Sequence, residues 1–324
     1  MSGNDVAVAA LTNAQIFHGR QMEALRRQLG DDVLEYLEDP SIVEVMLNPD
    51  GYLWVDMLGH GMERRDEMDP VRGQMVMDTV AAMLGTVVTA QNPILECELP
   101  LDGSRFEGMI PPLVERPVFT IRKRALLIFT LADYVAQGIM TPAQAKTLID
   151  TIQQRHNILV AGGTGTGKTT LANALLQAIG TVSPEHRLVI IEDTRELQCA
   201  APNVVFLRTS EGIDMTRLLR ATLRMRPDRI VVGEVRGGEA LALLKAWNTG
   251  HPGGVGTVHA NDAQAALIRL GQLIQEANVP PNPGLIAETV NVVVSIKRTA
   301  TGRKVEEIVR VLGHKDGEYL LEKN

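Results

Sequence analysis

The residues with the clearest chemical potential lie in the stretch NILVAGGTGTGKTT, residues 157–170. Residues 162–169 match the spacing G-x-x-x-x-G-K-[S/T] without a gap. The apolar run 158–161 before them predicts a buried strand, and residues 171–179 have helical periodicity. A glycine-rich turn between a strand and a helix directs backbone N–H groups toward a phosphate. The sequence therefore predicts that the chain binds a nucleoside triphosphate.

Two side chains of this motif are expected to act on the phosphates. Lys168 would reach the β- and γ-phosphates, and the Thr169 hydroxyl would hold Mg²⁺. An ordinary glycine-rich turn is the alternative, but the strand, the spacing and the helix all agree with a phosphate-binding loop. The residues expected to bind the nucleotide are Gly162, Gly163, Thr164, Gly165, Thr166, Gly167, Lys168, Thr169 and Thr170.

Acidic residues follow two of the predicted strands. The pair Glu192-Asp193 ends one strand, and Glu234 ends another. Transfer of a phosphoryl group to water needs one carboxylate on the Mg²⁺ side and one that orients or deprotonates the water. The alternatives are that the pair caps the next turn and that Glu234 pairs with Arg236. The spacing alone does not assign the two roles.

A glycine-rich loop, GHPGGVGTVHA at residues 250–260, places a histidine, His259, at the end of another predicted strand. An imidazole N–H in this position would donate to a γ-phosphate, while a structural histidine is an equally good interpretation. Metal binding by this loop is not expected, because it lacks the Cys or carboxylate spacing of a metal site.

Two groups of arginines are candidates for phosphate contacts. Arg220 and Arg224 lie four residues apart on a predicted helix, where a solvated or ion-paired face is an equally good interpretation. Arg105 and Arg122 lie in an acidic region of the chain. Such a cationic set needs an anionic partner, either a triphosphate held between two domains or neighbouring carboxylates.

Two different patterns of secondary structure surround these candidates. Residues 1–130 alternate short strands, such as 43–47 and 52–57, with helices, and predict a small α+β domain with an antiparallel sheet. We expect a linker at 131–140 and a second domain at 141–324. In the second domain, predicted strands alternate with predicted helices, which indicates a mostly parallel sheet with helices on both faces. The predicted strands are 158–161, 187–191, 204–209, 229–235 and 255–259, and the predicted helices are 171–179, 214–225, 239–248 and 262–277.

Composition sets further limits on the class of protein. The chain has 324 residues, of which 45% are hydrophobic and 22% charged, the balance of a folded globular protein. No apolar run reaches the roughly 18 residues of a membrane span, and the start of the chain lacks the basic segment of a signal peptide. The two cysteines lack C-x-x-C spacing, so we expect neither a zinc site nor a disulfide framework.

Charge is distributed unevenly along the chain. Residues 1–125 contain 11 Lys and Arg against 20 Asp and Glu, a net charge of −9, whereas residues 126–324 have a net charge of +2. Because no broad basic face is indicated, strong direct binding to nucleic acid is not expected. The predicted helix at 14–29 either packs in the core or docks on a membrane or partner, and the core is favoured because lipid-binding helices are usually more basic.

Four segments together resemble one family, the type II/IV secretion or traffic ATPases. They are the phosphate-binding loop GGTGTGKTT, the acidic segment IIEDTREL, the strand RIVVGEVRG and the histidine segment GHPGGVGTVHA. The upstream segments DGSRF and FTIRKR resemble the arginine-bearing segment of the type IV secretion branch. The earlier segment VEVMLNPDGYLWVD resembles the conjugal-transfer members of that branch. The resemblance covers about residues 33–315.

The resemblance implies a RecA-like ATPase domain that hydrolyses ATP with Mg²⁺ and assembles with identical chains into a hexameric ring. It further implies a place at the cytoplasmic face of an inner membrane, with inner-membrane components of a secretion or conjugation channel as partners and with peripheral membrane contact. Two alternatives stay open: a pilus assembly or retraction motor of the same fold, and a RecA-like DNA motor.

The resemblance also implies roles for individual residues. By position, Glu192 matches the catalytic carboxylate and Glu234 the carboxylate on the magnesium side. Arg105 and Arg122 match arginines of the first domain that approach the γ-phosphate, and His259 matches a histidine that senses it.

Overall fold

The computed structural model of the chain describes residues 3–57, 60–123, 128–210, 212–299 and 302–323, with side chains from residue 15 onward. The chain divides into two compact units, 1–126 and 127–324, which are treated separately below. The first unit contains α1 (Gly3–Glu38), β1 (Ile42–Leu47), β2 (Tyr52–Met57), β3 (Gly61–Glu67), α2 (Pro70–Met83), β4 (Ile94–Glu98), β5 (Arg105–Met109) and β6 (Val118–Arg122).

The first unit is built on a six-stranded antiparallel sheet in the order β3-β2-β1-β6-β5-β4. Its core includes Leu25 and Leu29 of α1, both fully buried, so this part of the helix packs inside as the sequence favoured. After β6, the Lys123 ammonium donates to the backbone carbonyls of Tyr36 and Asp39 near the end of α1. These bonds satisfy carbonyls that a helix end leaves unpaired and fix α1 to the sheet.

The second unit contains a larger sheet and most of the helices. Its elements are α3 (Leu131–Ala136), α4 (Pro142–Gln153), β7 (Ile158–Gly162), α5 (Lys168–Val182), β8 (Leu188–Glu192), β9 (Val204–Arg208), α6 (Met215–Thr222), β10 (Arg229–Val235), α7 (Glu239–Asn248), β11 (Val255–His259), α8 (Ala263–Glu276), α9 (Pro283–Thr289), β12 (Val292–Thr299), β13 (Gly302–Lys315) and β14 (Glu318–Lys323).

The sheet of the second unit has the order β14-β13-β12-β7-β11-β10-β8-β9. The six strands from β12 to β9 are parallel, and β13 and β14 add an antiparallel edge. Alternate residues of β7 enter two separate cores, with Ile158 and Val160 in one and Leu159 and Ala161 in the other. Burial on both faces explains the uninterrupted apolar runs, and the predicted mostly parallel α/β fold is confirmed.

Residues 131–140, expected from the sequence to be a linker, instead contain α3 and pack into the second unit. Thr130 and Asp133 form a capping box, in which the Thr130 hydroxyl accepts from the Asp133 backbone N–H and the Asp133 carboxylate accepts from that of Thr130. Leu131, Tyr134 and Met140 are buried in one of the cores. The structure of this stretch is therefore determined by the burial of its apolar side chains. The turn-forming residues of the sequence, which suggested a linker, do not reveal that burial.

A buried arginine, Arg229, begins β10, at the opposite end of this strand from Glu234, and binds the segments around it. It is fully buried and donates to the carbonyls of Gly253 and Ile152, at 2.9 and 3.0 Å. It also donates to the Ser183 hydroxyl and to Nδ1 of His186, at 3.2 and 3.0 Å. Because His186 Nδ1 accepts this bond, the imidazole must be neutral.

Acid is therefore expected to weaken the fold through His186. Burial, Arg229 and Arg155 hold its pKa below the ordinary value of 6.5, so protonation is harder in the folded chain than in the unfolded one. Its contribution to stability is present above pH 6.5 and is lost as the pH falls through the lowered pKa. Thermal unfolding between pH 7.5 and 5 should show a smaller acid loss for His186→Gln than for the wild type. The exposed His60→Gln is the control, and equal losses in all three proteins contradict this role.

Candidate nucleotide-binding site

The loop between β7 and α5 is shaped by its glycines. A Cβ at Gly162 would lie 2.7 Å from the carbonyl oxygen of Ile296, so only glycine fits where β7 ends. Gly165 and Gly167 have φ values of +68° and +96°, in the left-handed region that glycine adopts without strain. Gly167 is the N-cap of α5 and has no side chain to accept the first N–H groups of the helix. Those donors suit a phosphate.

Lys168 lies within this loop and is only 8% exposed. Its Nζ atom donates to the carbonyl of Gly163 at 3.0 Å and lies 3.7 Å from Oε1 of Glu234. The loop thus holds a cation on its inner side, and the end of β10, two strands away from β7 in the sheet, supplies a carboxylate that faces it. A phosphate between the loop N–H groups and Lys168 would meet positive charge on two sides.

The Thr169 hydroxyl contacts a carboxylate that the sequence analysis missed. It donates to Oε2 of Glu196 at 3.2 Å. Glu196 belongs to the acidic segment that contains Glu192, four residues earlier, and this shared segment is the signal that would have identified it. A hydroxyl and a carboxylate are hard oxygen ligands of the kind that Mg²⁺ accepts beside phosphate and water. Among the described residues, no cluster of three or more His, Cys, Asp or Glu forms a metal site by itself.

Glu192 anchors the segment that presents Glu196. It is 4% exposed, and its Oε1 atom accepts the backbone N–H groups of Glu196 and Leu197 at 2.9 and 2.8 Å. A Cβ at Gly233 would lie 2.9 Å from Cγ of Glu192, so a glycine in β10 makes room for this side chain. Burial raises the pKa of Glu192 although the two N–H bonds oppose it. The turn-capping contact that the sequence left open is therefore present. The raised pKa of Glu192 also suits a carboxylate that accepts a proton.

Glu234 is in a different electrostatic setting at the end of β10. Its Oε2 atom accepts from Nε and Nη2 of Arg236 at 2.7 and 2.5 Å, and its Oε1 atom faces Lys168 and Nδ1 of His259, each at 3.7 Å. Burial alone would raise its pKa, but the hydrogen bond and charge of Arg236, with smaller contributions from Lys168 and His259, outweigh burial and hold the pKa below its ordinary value. The pairing with Arg236 that the sequence left open is present, together with a contact to the loop lysine.

His259 connects this carboxylate to the phosphate-binding loop. It ends β11 opposite Gly162 of β7, and its Nε2 atom lies 3.1 Å from the hydroxyl of Thr164. The side chain is 52% exposed, so it can change partner when a ligand enters. His251, the other histidine of its segment, has its Nδ1 atom 3.0 Å from the carbonyl of Pro227, before β10 begins.

The predicted arginines belong to other elements of the chain. Arg105 and Arg122 stand directly opposite each other on β5 and β6 of the first unit. Nε of Arg122 lies 3.5 Å from Oε1 of Glu44. Arg122 therefore has a neighbouring carboxylate, the alternative partner that the sequence left open. Arg220 is exposed on α6, and Arg224 is exposed just after that helix ends.

The sequence is similar to proteins of bacterial secretion and conjugation. A family model described as Type II/IV secretion system protein matches residues 28–309. The "Probable conjugal transfer protein TrbB" of Sinorhizobium fredii is 52% identical over 305 residues, which cover 94% of each chain. The "Conjugal transfer protein TrbB" of Rhizobium radiobacter is 50% identical with the same coverage.

The fold is also similar to that of solved structures. The pilus retraction motor PilT with bound ADP matches with a TM-score of 0.59 over 90% of this chain and 81% of that one. At 20% sequence identity, this similarity bears on the fold alone, and it confirms the predicted RecA-like architecture.

Proposed function

The chain belongs to the type II/IV secretion system protein family, in its type IV secretion and conjugation branch, and from this premise we propose that it hydrolyses ATP to power such an apparatus. The observation that carries the proposal is the convergence of Lys168, Glu234 and His259 on the loop between β7 and α5. A loop that binds phosphate, beside carboxylates and a histidine, supports phosphoryl transfer to water.

The buried Glu192 and the half-buried Glu234 differ in a way that supports a division of roles. The raised pKa of Glu192 suits a general base that takes a proton from the attacking water. The lowered pKa of Glu234 suits a carboxylate that stays ionised on the magnesium side. We therefore assign the base to Glu192 and the charge-balancing role to Glu234.

The oxygen donors of the site fit Mg²⁺. Thr169 and Glu196 would hold the ion together with the phosphates and water, and Glu234 would act through its water shell. When bound, Mg²⁺ neutralises the charge that develops on the phosphates. Lys168 would bind the β- and γ-phosphates, and His259 would exchange its contact with Thr164 for the γ-phosphate.

We further propose that identical chains form a hexameric ring at the cytoplasmic face of an inner membrane. A closed ring repeats one head-to-tail interface and gives each nucleotide site the same neighbour. Its partners would be inner-membrane components of the channel, with peripheral contact to the membrane. Among the described residues, no helix has the length and apolarity needed to span a bilayer. Strong direct binding to nucleic acid is not proposed, because the charge of the chain is −7.

The full-length chain tests the proposal directly. We expect Mg²⁺-dependent ATP hydrolysis, particles of hexameric mass with an ATP analogue, and a higher rate with inner-membrane channel proteins. Stimulation by DNA instead would favour a DNA motor, and capture of pilus components would favour a pilus motor. Absence of nucleotide binding would reject all three.

Replacement of the first-unit arginines should separate hydrolysis from ADP binding. We predict that Arg105→Ala and Arg122→Ala keep the fold and bind ADP almost normally, but lower hydrolysis and remove the difference in shape between the ATP-analogue and ADP states. The reason is that an arginine on the γ-phosphate loses its partner when that phosphate leaves. Cryo-microscopy of both nucleotide states and an ATPase assay would measure these effects.

Two controls distinguish this role from an ordinary ion pair. Arg116→Ala removes an exposed arginine of the same unit and should have no effect. Glu44→Gln breaks the pair with Arg122 and leaves the arginine in place. A normal rate and a normal shape change in Arg122→Ala, or the same defect in Glu44→Gln, would show that Arg122 acts only through its carboxylate partner.

A further inference from the structure

A second cation, Arg303 of β13, lies against the phosphate-binding loop. A Cβ at Gly167 would lie 3.1 Å from Cδ of Arg303, 3.3 Å from Nε and 3.7 Å from Cζ. The arginine side chain therefore packs on this glycine, and its guanidinium group lies close to the first residues of α5. The bare Cα of Gly167 allows this approach, because a side chain there would displace the arginine.

The guanidinium group of Arg303 lacks the partners that the other cations of the site have. Over the part of the chain that the structure describes, it makes no hydrogen bond or ion pair, whereas Lys168 and Arg236 both face Glu234. The side chain is half-buried, so water hydrates it only in part. A partly desolvated cation without a counter-ion is a favourable position for an anionic ligand.

The neighbouring strand adds a second positive charge. Arg298 of β12 stands directly opposite Arg303 in the antiparallel pair. Directly opposite residues of an antiparallel pair share one face of the sheet, and like charges in these positions destabilise it. The repulsion would be relieved by an anion bound on this face. The hairpin β12–β13 thus places the positive charges of Arg298 and Arg303 beside the phosphate-binding loop, whose N–H groups also favour an anion.

We propose that Arg303 binds the α- and β-phosphates of the nucleotide. This inference rests on the proposed function, and it adds a nucleotide-binding residue from the C-terminal hairpin. The planar guanidinium group suits the paired oxygens of a pyrophosphate. Its position beside Gly167 and Lys168, at the start of α5, places it at the end of the loop where the first helical N–H groups meet the phosphates.

The test compares Arg303→Gln with Lys304→Gln in the full-length chain. Lys304 is the next residue, is exposed, and has its side chain on the opposite face of the strand, so the control removes the same charge. Titrations with ADP, inorganic pyrophosphate and adenosine measure the contact without hydrolysis. We expect Arg303→Gln to weaken ADP and pyrophosphate about 10- to 100-fold, as expected for loss of a charged hydrogen bond, and to leave adenosine unchanged. Lys304→Gln should bind all three like the wild type.

Thermal unfolding provides a second measurement. Without ligand, Arg303→Gln should be as stable as the wild type or more stable, because one of two facing positive charges is gone. With saturating ADP, its gain in melting temperature should be smaller. Unchanged pyrophosphate affinity would overturn the inference. So would a loss confined to adenosine, which would place Arg303 on the base. A wild type that binds no nucleotide would instead reject the proposed function itself.

Discussion

Lys168→Ala is expected to reduce ATP hydrolysis below detection and to weaken nucleotide binding while the chain stays folded. The Lys168 ammonium is held between the Gly163 carbonyl and Glu234 on the inner side of the loop, where it faces the phosphates. Removal of one such electrostatic contact from a pre-organised site lowers the rate about 10²–10³-fold. The loss is larger where, as expected for Lys168, the same group also binds the phosphates of ATP before the reaction. Steady-state ATPase assays and ADP titration would measure both losses.

The fold should survive this change. Glu234 keeps its two bonds from Arg236, so no carboxylate is left without a partner. Lys245→Ala, which removes an exposed lysine of α7, is the matched control and should retain wild-type turnover. Near-normal hydrolysis by Lys168→Ala would end the ATPase proposal.

Glu192→Gln is expected to bind ATP and to hydrolyse it about 10²- to 10⁴-fold more slowly. The amide oxygen of glutamine can still accept the N–H groups of Glu196 and Leu197, so the segment should stay in place, but it cannot take a proton. Single-turnover hydrolysis with saturating ATP measures this step apart from binding. Circular dichroism would show that the buried position tolerates the amide.

Glu234→Gln serves as the contrasting variant. The loss of its charge leaves Arg236 and Lys168 without their shared carboxylate. We therefore expect slower turnover and a higher Mg²⁺ concentration for half-maximal activity, and excess Mg²⁺ should partly restore the rate. Glu288→Gln, on the exposed face of α9, controls for the change in net charge. Normal turnover by Glu192→Gln, or failure of Mg²⁺ to restore Glu234→Gln, would contradict the assigned roles.

The parts of the site that are local in sequence could be predicted, and those that depend on folding could not. The glycine spacing of residues 162–169 and the acidic strand ends were visible because a strand, a turn and a helix occur in consecutive residues. Glu196 shares the acidic segment of Glu192, but its contact with Thr169 was missed because the segment is irregular and no period connects the two residues. Arg303 was missed because β13 reaches the loop only through the order of the sheet.

The same division holds for the fold. Continuous apolar runs such as 158–161 identify strands that are buried on both faces, so the parallel sheet followed from them. Thr141 and Gln144 form the capping box of α4, with Pro142 at its start, and the sequence predicted Thr141 as the cap and Pro142 in the first turn. The order of the strands and the packing of α3 depend on which apolar faces meet, and a single sequence does not reveal this.

The position of β7 in its sheet has a consequence for biosynthesis. This strand carries the phosphate-binding loop, yet its two neighbours are β11 and β12, which begin at residues 255 and 292. A growing chain would complete the loop long before either neighbour is translated. Pairings between such distant segments form late, since closing a long loop costs entropy before the contacts are gained. A ribosome paused before residue 255 would hold a chain with every residue of the loop and neither flanking strand, so ATP could not assist the earlier stages of folding.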